Sequence, residues 1–139
     1  MKLTKPPPES EAEFLAKILE LARAFGWLVY HARPAMTSRM NKQGKAVWVT
    51  PLQGDPGFPD LIIARVLYKE QKERQFEPAE ARLIIAEVKS EKGRLSNYQK
   101  AWFDFLIPCS QFIIGKMRPV PEIYLWQPSD LAEIAKLLR

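Results

Sequence analysis

The sequence predicts an α/β domain: an N-terminal helix, a mixed central sheet of four to six strands, a helix after the second of two long apolar strands, and a closing strand and helix. Three observations carry this. Two β-branched runs, Leu61-Ile62-Ile63 and Leu83-Ile84-Ile85-Ala86, have strand composition and are bounded by turn or charge signals. Ser-x-x-Glu/Gln patterns at Ser10/Glu13 and Ser96/Gln99, and the run Ser129-Asp130-Leu131-Ala132-Glu133, mark three helix starts. The chain has 139 residues, 47% of them apolar and 27% charged, which suits one soluble domain with a real core.

Residues 1–9 form a Pro-rich lead that cannot be helical and is read as flexible, so the folded domain is expected over 10–139. Ser10 caps a helix that runs to about Phe25 and stops at Gly26. Phe14, Ile18, Leu21 and Phe25 form its apolar stripe, and counting back by three from Phe14 lands on Glu11. Glu11 is therefore expected to face inward and Glu13 outward. An inward acid at a helix start either complements the dipole or reaches a site below it.

Trp27 to His31 reads as the first strand. The following segment, 32–53, contains no acid and carries Arg33, Arg39, Lys42 and Lys45; it reads as a loop with a short strand at Ala46–Thr50. Gln53 to Pro59 is dense turn chemistry that fixes the entry to Asp60. Asp60 to Val66 is a strand, and charged Tyr68–Arg82, with Pro78, reads as a long mobile connection. The next strand ends in Glu87-Val88-Lys89. Period-2 geometry sends Glu87 and Lys89 to one face while Val88 anchors in the core. In the helix opened by Ser96, Trp102, Phe103, Phe105 and Leu106 are expected to be buried, strands are expected at 111–115 and 123–126, and the last helix ends near Leu138. Trp48, Trp102 and Trp126 are read as core, and His31, the only histidine, as structural or phosphate-facing.

Asp60 and Glu87 can meet at one end of adjacent strands. Two carboxylates at one point repel unless a cation lies between them, and hard oxygen donors suit Mg²⁺ or Mn²⁺. Net charge is +5, and its distribution matters more than its size. The acid-free segment is one basic region; Lys89, Lys92, Arg94 and Lys100, with Ser96 among them, form a second. Two such regions flanking a carboxylate pair point to a phosphate-binding surface, with Arg33, Arg39, Lys42, Lys45, Lys92, Arg94 and Ser96 as nucleic-acid contacts. The single Cys109 excludes an internal disulfide and a thiolate-rich metal site, suggests a reducing compartment, and is read as a half-buried filler. No apolar run is long enough for a membrane span and no secretory signal is present, so a cytoplasmic protein without membrane contact is expected.

The ordered set Ser10-Glu11 with Phe14, Gly26-Trp27 with Tyr30-His31, Gly57-Phe58-Pro59-Asp60-Leu61, Glu87-Val88-Lys89, Gly93-Arg94-Leu95-Ser96 with Gln99, and Trp126-Gln127-Pro128 covers most of the chain. It resembles the PD-(D/E)XK nuclease superfamily, and within it the virus-type replication-repair nuclease branch, VRR-NUC, related to Holliday-junction resolvases. The resemblance implies a restriction-endonuclease-like core of αβββαβ order and a Mg²⁺-dependent nuclease acting on DNA, with branched or flapped DNA as the structure-selective case and a bacterial or phage source. It implies Glu11, Asp60 and Glu87 as acidic site residues, with the Val88 carbonyl joining them as a metal ligand, Lys89 as the catalytic lysine, and Gln99 as the motif's helix glutamine. A homodimer would suit a domain that cuts two strands. The alternatives are a nucleic-acid-binding module that has kept the fold without the reaction, and a subunit of a replication or repair complex. The Tyr68–Arg82 insert is longer than the tight hairpin the resemblance implies.

Overall fold

A computed structural model describes residues 6–32, 35–49, 54–70, 76–111 and 121–139, with side chains described at fewer positions in the two hairpins. The elements are α1 (Glu11–Ala24), β1 (Leu28–His31), β2 (Ala35–Met40), β3 (Ala46–Val49), β4 (Leu61–Glu70), β5 (Phe76–Val88), α2 (Asn97–Gln111), β6 (Glu122–Trp126) and α3 (Leu131–Leu138). Four strands form one sheet in the order β1-β4-β5-β6, antiparallel except for the parallel β5–β6 pair. Leaving aside the separate β2–β3 hairpin, the order along the chain is αβββαβ around a mixed sheet, as expected.

Each helix start has a local cause. At α1 the Ser10 hydroxyl accepts from the Glu13 N–H at 3.2 Å, and the Glu13 carboxylate accepts from the Ser10 N–H at 2.8 Å. The Ser10 N–H and then the Ser10 hydroxyl, both donating to that carboxylate at 2.8 Å, hold the Glu13 carboxyl below its ordinary value. The lead's Glu9 pairs with Lys17 on the helix. At α3 the expected Ser129/Glu133 cap gives way to a single 3₁₀ turn, Pro128–Asp130, in which Asp130 accepts from the Gln127 N–H at 2.9 Å. Glu133 instead pairs with Lys136 at 3.2 Å, and the helix begins one residue later than a Ser129 cap implies.

One face of the sheet carries the core. Phe14, Ile18 and Ala22 of α1 and Ile134 and Leu138 of α3 close over Leu61, Ile63, Ile84, Ala86, Val88 and Trp126. Burying a large apolar side chain contributes roughly 1.5–3 kcal/mol, so this face supplies most of the fold's stability. Leu21 and Phe25, expected on the stripe, are half-buried at its margin. On the α2 side the expectation was less accurate. Phe103 is buried and Trp102 and Leu106 half-buried, but Phe105 is 75% exposed, since two helical residues lie about 200° apart. Cys109 is exposed, not half-buried.

Two segments expected to be loops are strands. Residues 35–40 pair with β3 as a hairpin, closed by a turn in which the Asn41 side chain accepts from the Gln43 and Lys45 N–H groups. Most of Tyr68–Arg82 extends the β4–β5 ladder out to Glu70↔Phe76, with a register shift between Leu67 and Tyr68. Pro78, opposite Tyr68, sits at that irregularity, where a strand tolerates the missing N–H. Gln111 ends α2, and the strand expected at 111–115 otherwise lies outside the described residues.

The base of this hairpin holds a second buried element. Arg65 and Arg82 are cross-strand partners, and their guanidiniums lie 4.6 Å and 5.2 Å from the centroid of the Trp27 ring, which is 3% exposed. Arg82 donates twice to Glu122, at 2.9 and 2.8 Å, and once to the Leu137 carbonyl at 2.7 Å. Arg65 donates to the carbonyls of Phe25, Leu138 and Arg139, and so closes the C-termini of α1 and α3. The Trp27 indole N–H donates to the Leu138 carbonyl at 2.8 Å. Among the described residues no helix is long and apolar enough to cross a membrane.

Candidate active site

Asp60 is the residue before β4, and the pair Leu61↔Ala86 places it opposite Glu87. The Asp60 N–H donates to Glu87 Oε2 at 3.2 Å. Lys89, two residues along on the same face, brings Nζ to 3.0 Å from Glu87 Oε1. Gln99 Nε2 donates to the same oxygen at 2.7 Å. Glu87 is 0% exposed, so a fully buried carboxylate stands at the junction of β4, β5 and α2. The described partners take three of the roughly four acceptor positions a carboxylate offers.

The electrostatics of this carboxyl are unbalanced. Burial pushes its pKa up and the neighbouring Asp60 pushes it further, against the pull of Lys89 and the Asp60 N–H, leaving it at about 7. One ammonium, paired with Glu87, does not neutralise two carboxylates.

Local sequence explains the geometry. Gly57 has φ 91°, and a Cβ there would stand 2.6 Å from the Tyr98 carbonyl carbon, so only glycine lets the turn before Asp60 seat against the start of α2. Gln99 has two roles at once. Its Oε1 accepts from the Ser96 N–H at 2.8 Å and its own N–H donates to the Ser96 hydroxyl at 3.2 Å, a capping box, while its Nε2 holds Glu87. Ser96, expected among the nucleic-acid contacts, serves as the cap. Lys89 is fixed by its N–H donating to the Trp126 carbonyl at 2.9 Å. Gln127 was quoted in the family resemblance but given no role; its side-chain amide donates to the carbonyls of Glu91 at 3.2 Å and Gly93 at 3.3 Å. It pins the loop after Lys89. An amide beside Trp126 was the signal, but only the folded contact gives it meaning.

Glu11 departs from expectation. It is exposed, and among the described residues no three His, Cys, Asp or Glu side chains gather into a metal-holding group. The inward stripe starts at Phe14; Glu11 is the first helical residue, one turn short of where the helix meets the core. His31 pairs with Leu61 and is half-buried at the same end of the sheet, where the Ala32 N–H donates to the Asp60 carbonyl at 3.2 Å. The acid-free segment thus leaves the sheet beside Asp60. Of its cations, Lys42 and Lys45 are exposed, while Arg33 and the Arg39 and Trp48 side chains lie outside the described set. Lys92, Arg94 and Lys100 are exposed on the loop and helix start next to Glu87 and Lys89. Trp126 is buried, as read from sequence.

Comparison with curated proteins finds no match, and neither does comparison with solved structures. The VRR-NUC domain family matches residues 30–114, a span that contains Asp60, Glu87, Lys89 and Gln99 and more than half of the chain. With that span, the αβββαβ core and the site at its sheet end in agreement, the chain belongs to the VRR-NUC domain family, whose members are nuclease-type domains acting on DNA.

Proposed function

We propose that this domain hydrolyses DNA phosphodiester bonds in a divalent-cation-dependent reaction, selectively on branched or flapped DNA. One observation carries the reading: a fully buried Glu87 carboxylate facing Asp60, with Lys89 and Gln99 on its other oxygen. An acid raised to about 7 by burial and then by a second acid is a costly arrangement that a bound cation relieves. The donors are hard carboxylate oxygens, which fit Mg²⁺ or Mn²⁺ and not a thiolate metal. Asp60 and Glu87, with the Val88 carbonyl, would hold the ion, and Glu11 would join only through water or a second ion. Polarisation of the scissile phosphate and acidification of a water are what such an ion supplies when bound.

The chain's own groups do the rest. Gln99 fixes the orientation of the Glu87 carboxylate, and the Asp60 N–H fixes its other oxygen. Lys89 then stands where its ammonium holds the attacking water or meets charge developing on the phosphate. Lys92 and Arg94, together with Arg33, Arg39, Lys42 and Lys45, would take the flanking phosphates. A homodimer would present two such sites to two strands.

The test is cleavage of single-stranded, duplex, flap and four-way DNA with and without Mg²⁺ by the parent, Asp60→Asn, Glu87→Gln and Lys89→Ala. The parent should cut only with the cation, and each variant should lose roughly 10²-fold or more in rate, the loss typical of removing one preorganised electrostatic group. DNA binding in EDTA should be intact or tighter in the two acid variants, which repel phosphate less. Undiminished cleavage by Asp60→Asn and Glu87→Gln overturns the site. Binding without cleavage of any substrate by the parent makes the domain a binding module instead.

A further inference from the structure

Beside the site, but not part of it, lies an open groove of about 560 Å³ lined by Asp55, Pro56, Tyr98, Ala101, Trp102 and Phe105. Tyr98, Trp102 and Phe105 follow one another at spacings of four and three and form an outward stripe on α2. Tyr98 is 64% and Phe105 75% exposed, an unusual position for two large rings.

The groove is rigidly built. The Trp102 indole N–H donates to the Pro56 carbonyl at 3.0 Å, and Phe58 meets the Trp102 ring edge-on, with centroids 5.0 Å apart. Gly57 brings the turn into contact with the Tyr98 backbone. Both walls run directly into the site: Phe58 is two residues before Asp60, and Tyr98 precedes Gln99, which holds Glu87. Whatever occupies the groove is therefore adjacent to whatever occupies the site.

The lining chemistry selects the occupant. Among the described residues its one charged member is Asp55, which repels phosphate, whereas the cations Lys92, Arg94 and Lys100 lie outside it. Exposed rings without a cation suit the neutral face of a nucleobase. A base inside a duplex has both faces covered by its neighbours, so only an unpaired base can present one. Resting on the nuclease reading above, the structure assigns this groove to the base of an unpaired nucleotide flanking the scissile phosphate. The substrate class then becomes DNA with a single-stranded element at the cut, with Tyr98 and Phe105 as the stacking platform and Trp102 as its support.

The experiment compares binding, in Ca²⁺, of a fully paired duplex and an otherwise identical DNA carrying a flap with 2-aminopurine at its junction. The proteins are the parent, Tyr98→Ala/Phe105→Ala and Tyr98→Trp, with thermal melts to confirm the fold. The parent should prefer the flap, and the double variant should lose that preference by roughly 5- to 100-fold, the range that base–aromatic stacking gives. Tyr98→Trp should keep it, and 2-aminopurine emission should be quenched by the parent and recover in the double variant. An unchanged flap preference in the double variant overturns the inference. So does a parent dimer that the double variant dissociates in sedimentation, since the groove would then belong to a second copy. If the parent cleaves DNA but its preference ignores Tyr98 and Phe105, the stacking platform alone fails; if the parent neither binds nor cleaves DNA, the nuclease reading fails with it.

Discussion

Strands β4 and β5 carry two buried clusters of charge, and they are built on opposite principles. At one end Asp60 and Glu87 face each other, with Lys89 and Gln99 on the Glu87 oxygen away from the Asp60 N–H. Five residues along, or about 17 Å at strand spacing, Arg65 and Arg82 face each other across the same ladder. An odd separation also puts the second cluster on the other face of the sheet. The arginine cluster is satisfied: Arg82 has a bidentate carboxylate, Arg65 has the carbonyls at two helix ends, and Trp27 lies within reach of both guanidiniums. The Glu122 hydrogen bonds push the Arg82 guanidinium further above its ordinary value, so it stays charged. The acidic cluster has its hydrogen bonds but not its charge balance, and burial together with Asp60 leaves Glu87 at about 7. A balanced buried cluster is architecture, whereas an unbalanced one waits for a ligand.

The comparison breaks most visibly at the arginine end. Arg82→Met leaves Glu122 buried without its cation, with the Tyr124 hydroxyl still donating to it at 3.1 Å, and should lower stability by about 3–5 kcal/mol, a fall in melting temperature of roughly 10 °C or more. Adding Glu122→Leu to that variant should recover most of the loss, because an apolar pair of similar volume replaces the ion pair. Cleavage per folded molecule should match the parent, since this cluster lies on the far face. A chemical denaturation series checks the first two outcomes; an Arg82→Met protein as stable as the parent would show that the pair is ornamental.

The second expected effect sharpens the acidic end. A carboxyl raised from 4.5 to about 7 on folding binds its proton better in the folded state, so stability should fall as pH rises through that window and level off above it. At about 1.4 kcal/mol per unit the fall is on the order of 3 kcal/mol. The lowered Glu13 carboxyl acts in the opposite sense, but only below its ordinary value of 4.5, outside this window. Urea unfolding in EDTA at intervals from pH 5 to 8 reads the slope, which Glu87→Gln should remove and saturating Mg²⁺ should flatten or reverse. Stability that rises across the window in the parent without cation contradicts the assignment of Glu87.

These two clusters also differ in how far they could be read from the sequence. The acidic one was legible because its parts are local: Asp60 enters an apolar strand, Glu87 and Lys89 share a face by period-2 spacing, and Gln99 sits in a helix-start pattern. The arginine cluster was not. Arg82 lies in a charged, Pro-containing stretch that looks like a loop, and its partner Glu122 is 40 residues away. Ladder pairing turned that stretch into strand, as it did Ala35–Met40, where apolar alternation is too weak to signal one. The helix readings failed at their edges for a simpler reason. Periodicity gives a stripe but not where the sheet beneath it ends, so it predicts Glu11 facing inward and Phe105 buried, while both are exposed.

Gln99 joins the two logics in one side chain, and it offers the smallest and most selective test. Gln99→Ala removes both the cap to the Ser96 N–H and the bond to Glu87, and should destabilise by about 1–2 kcal/mol at any pH, which by itself cannot tell the two roles apart. Gln99→Glu can. Glutamate closes a capping box as well as glutamine does, so the helix start is kept. The new carboxyl, however, replaces an N–H donor with an acceptor directly against Glu87 Oε1. At pH 5 the two acids can share a proton and restore a hydrogen bond, whereas at pH 8 a third negative charge joins Asp60 and Glu87. Gln99→Glu should therefore melt close to the parent at pH 5 and fall behind it by about 1.5–3 kcal/mol at pH 8 without cation, the usual cost of losing a hydrogen bond to a charged group. Equal stability at both pH values would leave Gln99 as a helix cap alone, and Glu87 would then owe its orientation only to Lys89 and the Asp60 N–H.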